Sequence, residues 1–182
     1  MHKNSYEISQ NAKLQIDGHF EIGKNVVIED FVEIIVDTKS SLIIKDNVTI
    51  KKFSHINVIN GSTVILEDWS HVGMFNLING VCDIVIGEYT MLGPSVLLNS
   101  YQHNYGDLDK PIRLLGGSAK NLYIGADCWI GQGSIIMECI EKKSIIGAGS
   151  VVSKKIPAYS VAYGNPAKVR KSRIDISNFE TK

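Results

Sequence analysis

The sequence repeats with a period of six residues, and this period limits the possible folds more than any other feature. It matches neither the two-residue alternation of an ordinary strand nor the 3.6-residue period of a helix. We therefore predict short strands separated by corners, three to a triangular turn, whose aliphatic residues point inward and stack on the next turn. The inward positions are Ile16, Ile22, Ile28, Ile34, Ile44, Ile50, Ile56, Leu66, Val72, Ile78, Ile86, Leu92, Leu98, Ile124, Ile130, Ile136, Ile146 and Val152.

The spacing of these residues predicts where extra residues enter the turns. Successive turns begin at Ile22, Ile44, Leu66, Ile86 and Ile124, in steps of 22, 22, 20 and 38 residues. Each step is longer than three hexads, and the extra residues always lie between the third strand of one turn and the first strand of the next. The extra residues of the last step predict a protruding loop over residues 101–120. Glycine often follows the inward residue, and we expect it to allow the bend at the corner.

Composition narrows the class of protein. The chain has 182 residues, 19 basic and 19 acidic, which suits one domain without the positive field that attracts nucleic acid or anionic membranes. No apolar run approaches a membrane span, and the first residues lack a secretory pattern, so we expect a cytoplasmic protein. Cys82, Cys128 and Cys139 form no CxxC pair, which favours reduced thiols. A catalytic thiol at Cys128 or Cys139 is the alternative.

Three motifs resemble those of the hexapeptide-repeat acyltransferases. They are Ile124-Gly125-Ala126-Asp127-Cys128-Trp129-Ile130-Gly131, the run from Ile146 to Pro157, and Tyr163-Gly164-Asn165-Pro166-Ala167-Lys168-Val169. The chain is most similar to the branch of sugar, maltose, galactoside and surface-polysaccharide O-acetyltransferases. This resemblance implies left-handed β-helices assembled as a homotrimer, with acetyl-CoA in a groove between subunits. The period of six does not set the hand by itself.

The same resemblance implies a histidine base, which matches His103 at the start of the protruding loop. A neutral imidazole suits removal of a hydroxyl proton during acetyl transfer, because its pKa lies near working pH. An ordinary loop histidine is the alternative, and His71 is a reserve candidate that contacts the acceptor. Many relatives carry an acidic residue and a second histidine before the base, where this chain has Ser100 and Tyr101. The segment near Ile140 is also about two residues shorter than the family pattern.

The remaining site residues follow from the substrates that the resemblance implies. We expect Trp129, Asn99, Tyr101 and Tyr105 to form the acceptor pocket. Small residues would line a narrow groove for the pantetheine arm of CoA, and cations would bind its phosphates, unless these cations only form a solvated basic tail. The expected CoA-binding residues are Gly131, Gly133, Ala148, Gly149, Lys154, Lys155, Lys168 and Arg170. No histidine spacing suits a zinc site, and we expect no metal.

The sequence thus predicts an all-β fold with three parts. Residues 1–15 form an N-terminal cap, residues 16–162 a left-handed parallel β-helix with the loop 101–120, and residues 163–182 a short C-terminal helix and tail. We predict an acetyl-CoA-dependent O-acetyltransferase that acts on a sugar or glycan hydroxyl, with its active site between subunits. The alternatives are an N-acetyltransferase of an amino sugar, an antibiotic acetyltransferase and a non-catalytic β-helix scaffold.

Overall fold

The computed structural model describes residues 6–176, which form strands β1 to β23 and two short 3-10 helices. The strands are β1 (Glu7–Ile8), β2 (Lys13–Ile16), β3 (His19–Ile22), β4 (Val27–Ile28), β5 (Glu33–Val36), β6 (Ser41–Ile44), β7 (Thr49–Ile50), β8 (His55–Val58), β9 (Thr63–Leu66), β10 (His71–Val72), β11 (Leu77–Gly80), β12 (Ile84–Ile86), β13 (Met91–Leu92), β14 (Leu97–Asn99), β15 (Tyr101–His103), β16 (Gly117–Ala119), β17 (Leu122–Ile124), β18 (Trp129–Ile130), β19 (Ile135–Ile136), β20 (Ile145–Ile146), β21 (Val151–Val152), β22 (Ser160–Tyr163) and β23 (Lys168–Ser172). The 3-10 helices are Ile112–Leu114 and Ile174–Ile176.

The strands stack into three sheets that the chain visits in turn, so that each circuit forms one coil of a β-helix. The first sheet has the order β1-β4-β7-β10-β13-β18-β20-β22-β23, the second β2-β5-β8-β11-β14-β19-β21, and the third β17-β12-β9-β6-β3. Strands of successive coils pair in parallel, and only β23 joins the first sheet in the antiparallel direction. The predicted all-β, left-handed parallel β-helix is confirmed.

The inward residues stack in the predicted register. Ile28, Ile50, Val72, Leu92, Ile130 and Ile146 pair in succession along the first sheet. Equivalent series run up the other two sheets, and these side chains form one buried core. Ile140 bridges Ile124 and Ile156 at the third side. Since Ile140 follows Ile136 by four residues and not six, the expected shortening of this side is confirmed.

The extra residues of the early coils lengthen the strands on both sides of one corner. Strands β5 and β8 of the second sheet and β6 and β9 of the third sheet have four residues each, whereas β19 and β21 have two. Val36, Leu42, Val58 and Val64 therefore add a second set of fully buried side chains. The early coils are therefore wider than the late coils.

The glycines after the inward residues have a different role from the one expected. None of Gly73, Gly87 and Gly131 has a positive φ. Instead, a Cβ atom at Gly73 would lie 2.7 Å from the Leu92 carbonyl oxygen, and one at Gly131 would lie 2.5 Å from the Ala148 amide nitrogen. These glycines allow close approach of the next coil. The bend itself uses positive φ three residues after the inward position, where Phe53 and Trp69 have φ of 62° and 60°.

Buried hydroxyl groups four residues after the inward position join each corner to the next coil. Those of Ser54, Thr90 and Ser144 each donate a hydrogen bond to the carbonyl oxygen that follows the inward residue of the next coil. The distances are 2.8 Å from Ser54 Oγ to Gly73, 2.7 Å from Thr90 Oγ1 to Gly125, and 2.9 Å from Ser144 Oγ to Pro157. Because these bonds replace water at buried carbonyl groups, they satisfy atoms that burial would otherwise leave unpaired.

Ser70 is the exception, and it leads to a stability prediction. Its Oγ is buried without a hydrogen-bond partner among residues 6–176, and the equivalent position one coil earlier holds Val48. We expect Ser70→Val to raise the free energy of unfolding by about 1 kcal/mol, since it removes an unpaired buried hydroxyl. Urea denaturation would measure this. The matched Ser54→Val, which breaks a bond, should lower stability, and equal effects from both variants would contradict the explanation.

Two predicted boundaries differ from the structure. The predicted short C-terminal helix is wrong, because Lys168–Ser172 forms β23, which pairs antiparallel with β22. The Gly164-Asn165-Pro166 segment makes a turn, with φ of 109° at Gly164, and does not place Pro166 in a first helical turn. The coil also starts before residue 16, since β1 and β2 already pair in parallel with β4 and β5. The predicted tail beyond residue 176 lies outside the described residues.

Within residues 6–176, no helix has the length and apolar character needed to cross a membrane.

Candidate functional site

The protruding loop begins and ends as a β-hairpin that carries His103. Strands β15 and β16 pair antiparallel, with His103 opposite Gly117 and Tyr101 opposite Ala119. Tyr101 and His103 lie on the same face of β15, and their rings meet edge to face with centroids 5.2 Å apart. The imidazole is exposed, and its nitrogens have no hydrogen-bond partner among residues 6–176. The group that would orient a base is therefore not found within this part of one chain.

His103 opens onto a wide cavity at the hairpin. This cavity has a volume of about 650 Å³, and Tyr105, Asp107, Leu115 and Ser118 contribute to its walls. Asn99 and Tyr101 instead line a smaller adjoining pocket of about 130 Å³ with Lys120, Met137 and Glu138. Asn99 is held in place there, since its side chain bonds to Asn79 and to the Tyr101 carbonyl oxygen. Of the predicted acceptor residues, only Tyr105 shares the larger cavity with His103.

Trp129 lies on the outward face of the first sheet, in a separate cavity. Its half-exposed indole follows His71 and Met91 in one outward column, because these three residues pair in register on β10, β13 and β18. The cavity has a volume of about 490 Å³ and also includes Pro94 and Lys52. No residue lines both this cavity and the one at His103. One chain therefore does not bring Trp129 and His103 to the same cavity.

His71 differs from the other histidines of the coil. His19 and His55 pair with Glu21 and Glu33 at 2.8 Å and 3.2 Å. Partial burial, together with the nearby Lys51 ammonium, holds the pKa of His71 below its ordinary value of 6.5. Its imidazole is therefore neutral at neutral pH and able both to donate and to accept a hydrogen bond.

The residues at the corner between the first and second sheets differ between the early and the late coils. In the early coils it carries the exposed rings of Phe31, Phe53 and Phe75, which stack with centroids 5.1 Å and 5.0 Å apart. In the late coils the same position holds Gly133 and Gly149, with φ of 69° and 66° and open space on the side where a Cβ would lie. The Gly133 amide donates to the Pro94 carbonyl oxygen at 2.9 Å, so this thin corner directly adjoins the Trp129 cavity.

The other small residues predicted to bind CoA lie around this corner. Ala148 precedes Gly149 on the surface, whereas Gly131 is buried against Ala148 of the next coil. Gly131 therefore allows two coils to pack closely beneath this corner. Its outer surface is formed by Gly133, Ala148 and Gly149. The periodic phenylalanines were missed in the sequence analysis, although their spacing of 22 residues matches the coil length.

The four predicted phosphate-binding cations lie on two different elements of the fold. Lys154 and Lys155 follow β21 at the corner between the second and third sheets, and Lys155 forms an ion pair with Glu141 at 2.7 Å. This contact raises the pKa of Lys155. Lys168 and Arg170 lie on β23, where Arg170 stands 5.5 Å from the centre of the Tyr163 ring. The Ala167 amide bonds to the Val151 carbonyl oxygen at 2.8 Å, which brings Lys168 near the glycine corner.

The geometry gives less support to a cysteine nucleophile or to a metal site. Cys128 is buried, and its burial raises the pKa of the thiol, which disfavours the thiolate that a nucleophile requires. Among residues 6–176, no three histidine, cysteine or acidic side chains are placed to hold a metal ion.

Comparisons with known proteins show similarity to acetyltransferases. The galactoside O-acetyltransferase of Lactococcus lactis subsp. lactis (strain IL1403) is 36% identical over 102 residues, which cover 54% of this chain and 47% of the relative. A maltose O-acetyltransferase from Clostridium difficile 630 superposes with a TM-score of 0.57 at 26% identity, over 84% of this chain and 70% of the other. The resemblance to the hexapeptide-repeat acyltransferases is confirmed.

A third similarity, to the N-acyltransferase AntD of Bacillus cereus, shows the shared fold alone. A point mutant of AntD, in complex with dTDP-4-amino-4,6-dideoxyglucose and coenzyme A, superposes with a TM-score of 0.61 at 16% identity, over 94% of this chain and 84% of the other. No family model matches the chain. The chain spans less than half the length of the first curated relatives that it matches, so the reaction of this hexapeptide-repeat protein does not follow from these similarities alone.

Proposed function

We propose that this protein transfers an acetyl group from acetyl-CoA to a sugar or glycan hydroxyl, with His103 as the general base. The observation that carries this proposal is the open glycine corner at Gly133 and Gly149, next to the Trp129 cavity. An extended pantetheine arm needs a narrow path beside exposed backbone groups, and this corner offers one. The galactoside and maltose O-acetyltransferases to which the chain is similar favour a sugar acceptor.

The reaction needs one proton acceptor and one path for the leaving group. As the acceptor oxygen attacks the thioester carbonyl carbon, a ring nitrogen of His103 takes the hydroxyl proton. The tetrahedral intermediate then collapses, the carbon–sulfur bond breaks, and the imidazolium returns the proton to the CoA sulfur. A base of this kind typically contributes about 10²–10⁴-fold to the rate.

A complete site would require two copies of the chain, because His103 and Trp129 line different cavities. Both regions expose apolar side chains that one chain leaves uncovered. Leu108 and Leu114 of the hairpin are 95% and 72% exposed, and Met91 and Trp129 on the first sheet are about half exposed. Apolar side chains exposed next to one another often mark interaction surfaces. We propose that the hairpin of one subunit covers the first sheet of its neighbour in a homotrimer.

The proposed activity is tested by CoA release from acetyl-CoA. The purified chain would be incubated with maltose, an aryl galactoside, a sialic acid and amino sugars, with a thiol reagent as the readout. We expect release that depends on a hydroxyl acceptor, together with a product ester. Transfer only to amino groups would favour the N-acetyltransferase alternative. Failure to bind CoA by calorimetry, with no transfer to any acceptor, would favour the scaffold.

The placement of the cations predicts that they contribute unequally to CoA binding. We expect Lys168→Ala to raise the KM for acetyl-CoA about tenfold, with little change in the KM for the acceptor, because Lys168 lies on β23 near the glycine corner. Lys155→Ala is the matched control, and it should have a smaller effect since Lys155 already pairs with Glu141. Steady-state kinetics with each substrate varied would decide this. Equal effects of Lys168→Ala on both KM values would contradict the assignment.

A further inference from the structure

We propose that Tyr101 is a positioning residue for His103. In this arrangement the Tyr101 ring restricts the rotation of the imidazole, and Gly117 provides the space in which that ring lies. The inference rests on the proposed function, which makes His103 the base. It gives Tyr101 a different role from the contact with the acceptor that the sequence suggests, because Tyr101 acts on the reaction only through His103.

The pairing of β15 with β16 brings the three residues together. His103 lies opposite Gly117, and Tyr101, two residues earlier on the same face, lies opposite Ala119. A Cβ atom at Gly117 would lie 2.2 Å from both the ring carbon Cζ and the hydroxyl oxygen of Tyr101. The far end of the Tyr101 side chain therefore covers Gly117, directly across the hairpin from His103. A side chain at position 117 would collide with the ring there.

The contact between the two rings limits how the imidazole can turn. The ring centroids of Tyr101 and His103 are 5.2 Å apart and the ring planes are 86° apart, which is a favoured arrangement of aromatic rings. Among the described residues, no hydrogen bond restrains either ring nitrogen of His103. Packing against Tyr101 is therefore the restraint that one chain supplies. A general base must lie within hydrogen-bond reach of the proton that it removes, and a freely rotating imidazole would meet this requirement only part of the time.

Hydrogen bonds tie Tyr101 to the coil. Its carbonyl oxygen accepts a hydrogen bond of 2.8 Å from the Asn99 side chain, and the Asn79 side chain donates one of 3.1 Å to Asn99. Asn79 and Asn99 pair in register on β11 and β14 of the second sheet. Tyr101 is half-buried, whereas His103 is exposed. The coil thus holds Tyr101 in place, and Tyr101 in turn restrains the exposed imidazole.

The pocket that Tyr101 lines separates this role from acceptor binding. His103 lines the cavity of about 650 Å³, whereas Tyr101 lines the adjoining pocket of about 130 Å³ with Lys120 and Met137. This smaller pocket is well below the volume of about 300 Å³ at which small-molecule sites begin, so it does not hold a sugar ring. Loss of the Tyr101 ring should therefore change kcat through His103, and not the KM for the acceptor.

The kinetic test compares Tyr101→Ala with Tyr101→Phe in the full-length chain. We expect Tyr101→Ala to lower kcat about tenfold, the upper range for an edge-to-face ring contact, with the KM of both substrates unchanged. Tyr101→Phe keeps the ring and should restore kcat to about the wild-type value. Tyr123→Ala is the matched control, since it removes an exposed tyrosine ring from the third sheet, and it should behave as wild type.

NMR of histidine-labelled protein tests the ring contact without catalysis. The resonances of His103 would be assigned by their absence from the spectrum of His103→Gln. In wild type and in Tyr101→Phe, the neighbouring ring should shift the imidazole proton resonances of His103 and show nuclear Overhauser effects to them. Both signals should be lost in Tyr101→Ala.

The two measurements together separate this inference from the proposed reaction. If wild type gives the ring signals but transfers no acetyl group, the proposed function fails and the restraint of His103 by Tyr101 stands. If wild type lacks the ring signals, or if Tyr101→Ala keeps its kcat or raises only the KM for the acceptor, the Tyr101 assignment fails alone. Equal losses of kcat in Tyr101→Phe and Tyr101→Ala would also overturn it, because the hydroxyl group and not the ring would then be responsible.

Discussion

Replacing His103 with alanine should lower kcat by about 10²–10⁴-fold while the Kd for CoA stays nearly unchanged. The imidazole is exposed on β15 of the hairpin, so its loss creates no core cavity and the melting temperature should be preserved. Single-turnover transfer and calorimetric CoA binding would measure the two effects. His19→Ala is the matched control, because this exposed histidine pairs with Glu21 on the third sheet. Activity of His103→Ala within a few-fold of wild type would show that another group is the base.

The same variant tests whether the site is shared between subunits. We would mix inactive His103→Ala with a Trp129→Ala variant of low activity, unfold them together and refold them. If the hairpin of one subunit completes the Trp129 cavity of its neighbour, some mixed assemblies contain one site with both side chains intact. Activity of the mixture should then exceed that of either variant refolded alone. No gain would place His103 and Trp129 in the same chain's site, or in no common site.

Adding one methyl group at Gly131 should destabilise the protein by about 3 kcal/mol. The new Cβ would lie 2.5 Å from the Ala148 amide nitrogen and 2.7 Å from the Ile146 carbonyl oxygen of the next coil. The Ile146 oxygen accepts the hydrogen bond of the Gly131 amide at 2.8 Å, so the two coils cannot move apart here without breaking it. For a chain of this size, the loss corresponds to a decrease of roughly 6–12 °C in the melting temperature. Thermal unfolding followed by circular dichroism would measure it.

Gly133→Ala provides the matched control two residues away. A Cβ at Gly133 meets no atom within 4 Å, but the residue has φ of 69°. Its substitution should therefore cost only the strain of a left-handed backbone, about 1 kcal/mol. Asparagine also adopts a positive φ at Asn25 and Asn47, at the corner between the third and first sheets, so Gly133→Asn should cost less still. A larger loss at Gly133 than at Gly131 would show that backbone conformation, and not the spacing of coils, determines the role of these glycines.

The core could be predicted from the sequence because stacking imposes one requirement at every turn. An inward residue must be aliphatic and must meet its equivalent in the next coil, so the period of six determined the partners of Ile50, Val72 and Leu92. Even the short side at Ile140 was visible as a missing pair of residues. The geometry of the corners was harder to predict from the sequence. Positive φ falls on phenylalanine, tryptophan and tyrosine as well as glycine, so glycine positions alone do not identify it.

The sequence suggests individual residues of the candidate site, but it does not show how they are placed relative to one another. Trp129 directly precedes the inward residue Ile130, which already places it on the outward face of the first sheet. His103 enters a loop whose direction depends on backbone torsions that the repeat does not specify. The error at Pro166 has a similar origin, because proline suits both a first helical turn and a tight turn. Here the preceding glycine and asparagine favour the turn.

The antiparallel strand β23 has a consequence for how these molecules behave at high concentration. A parallel β-helix exposes hydrogen-bonding groups at its last coil, and another molecule could extend the stack end to end. At the first sheet, β23 turns back along β22 and occupies those groups. It then presents Lys168, Arg170 and Lys171 along its length, and their mutual repulsion would oppose the docking of a second, identical end. We therefore expect strands β22 and β23 to oppose end-to-end growth of the stack into fibres.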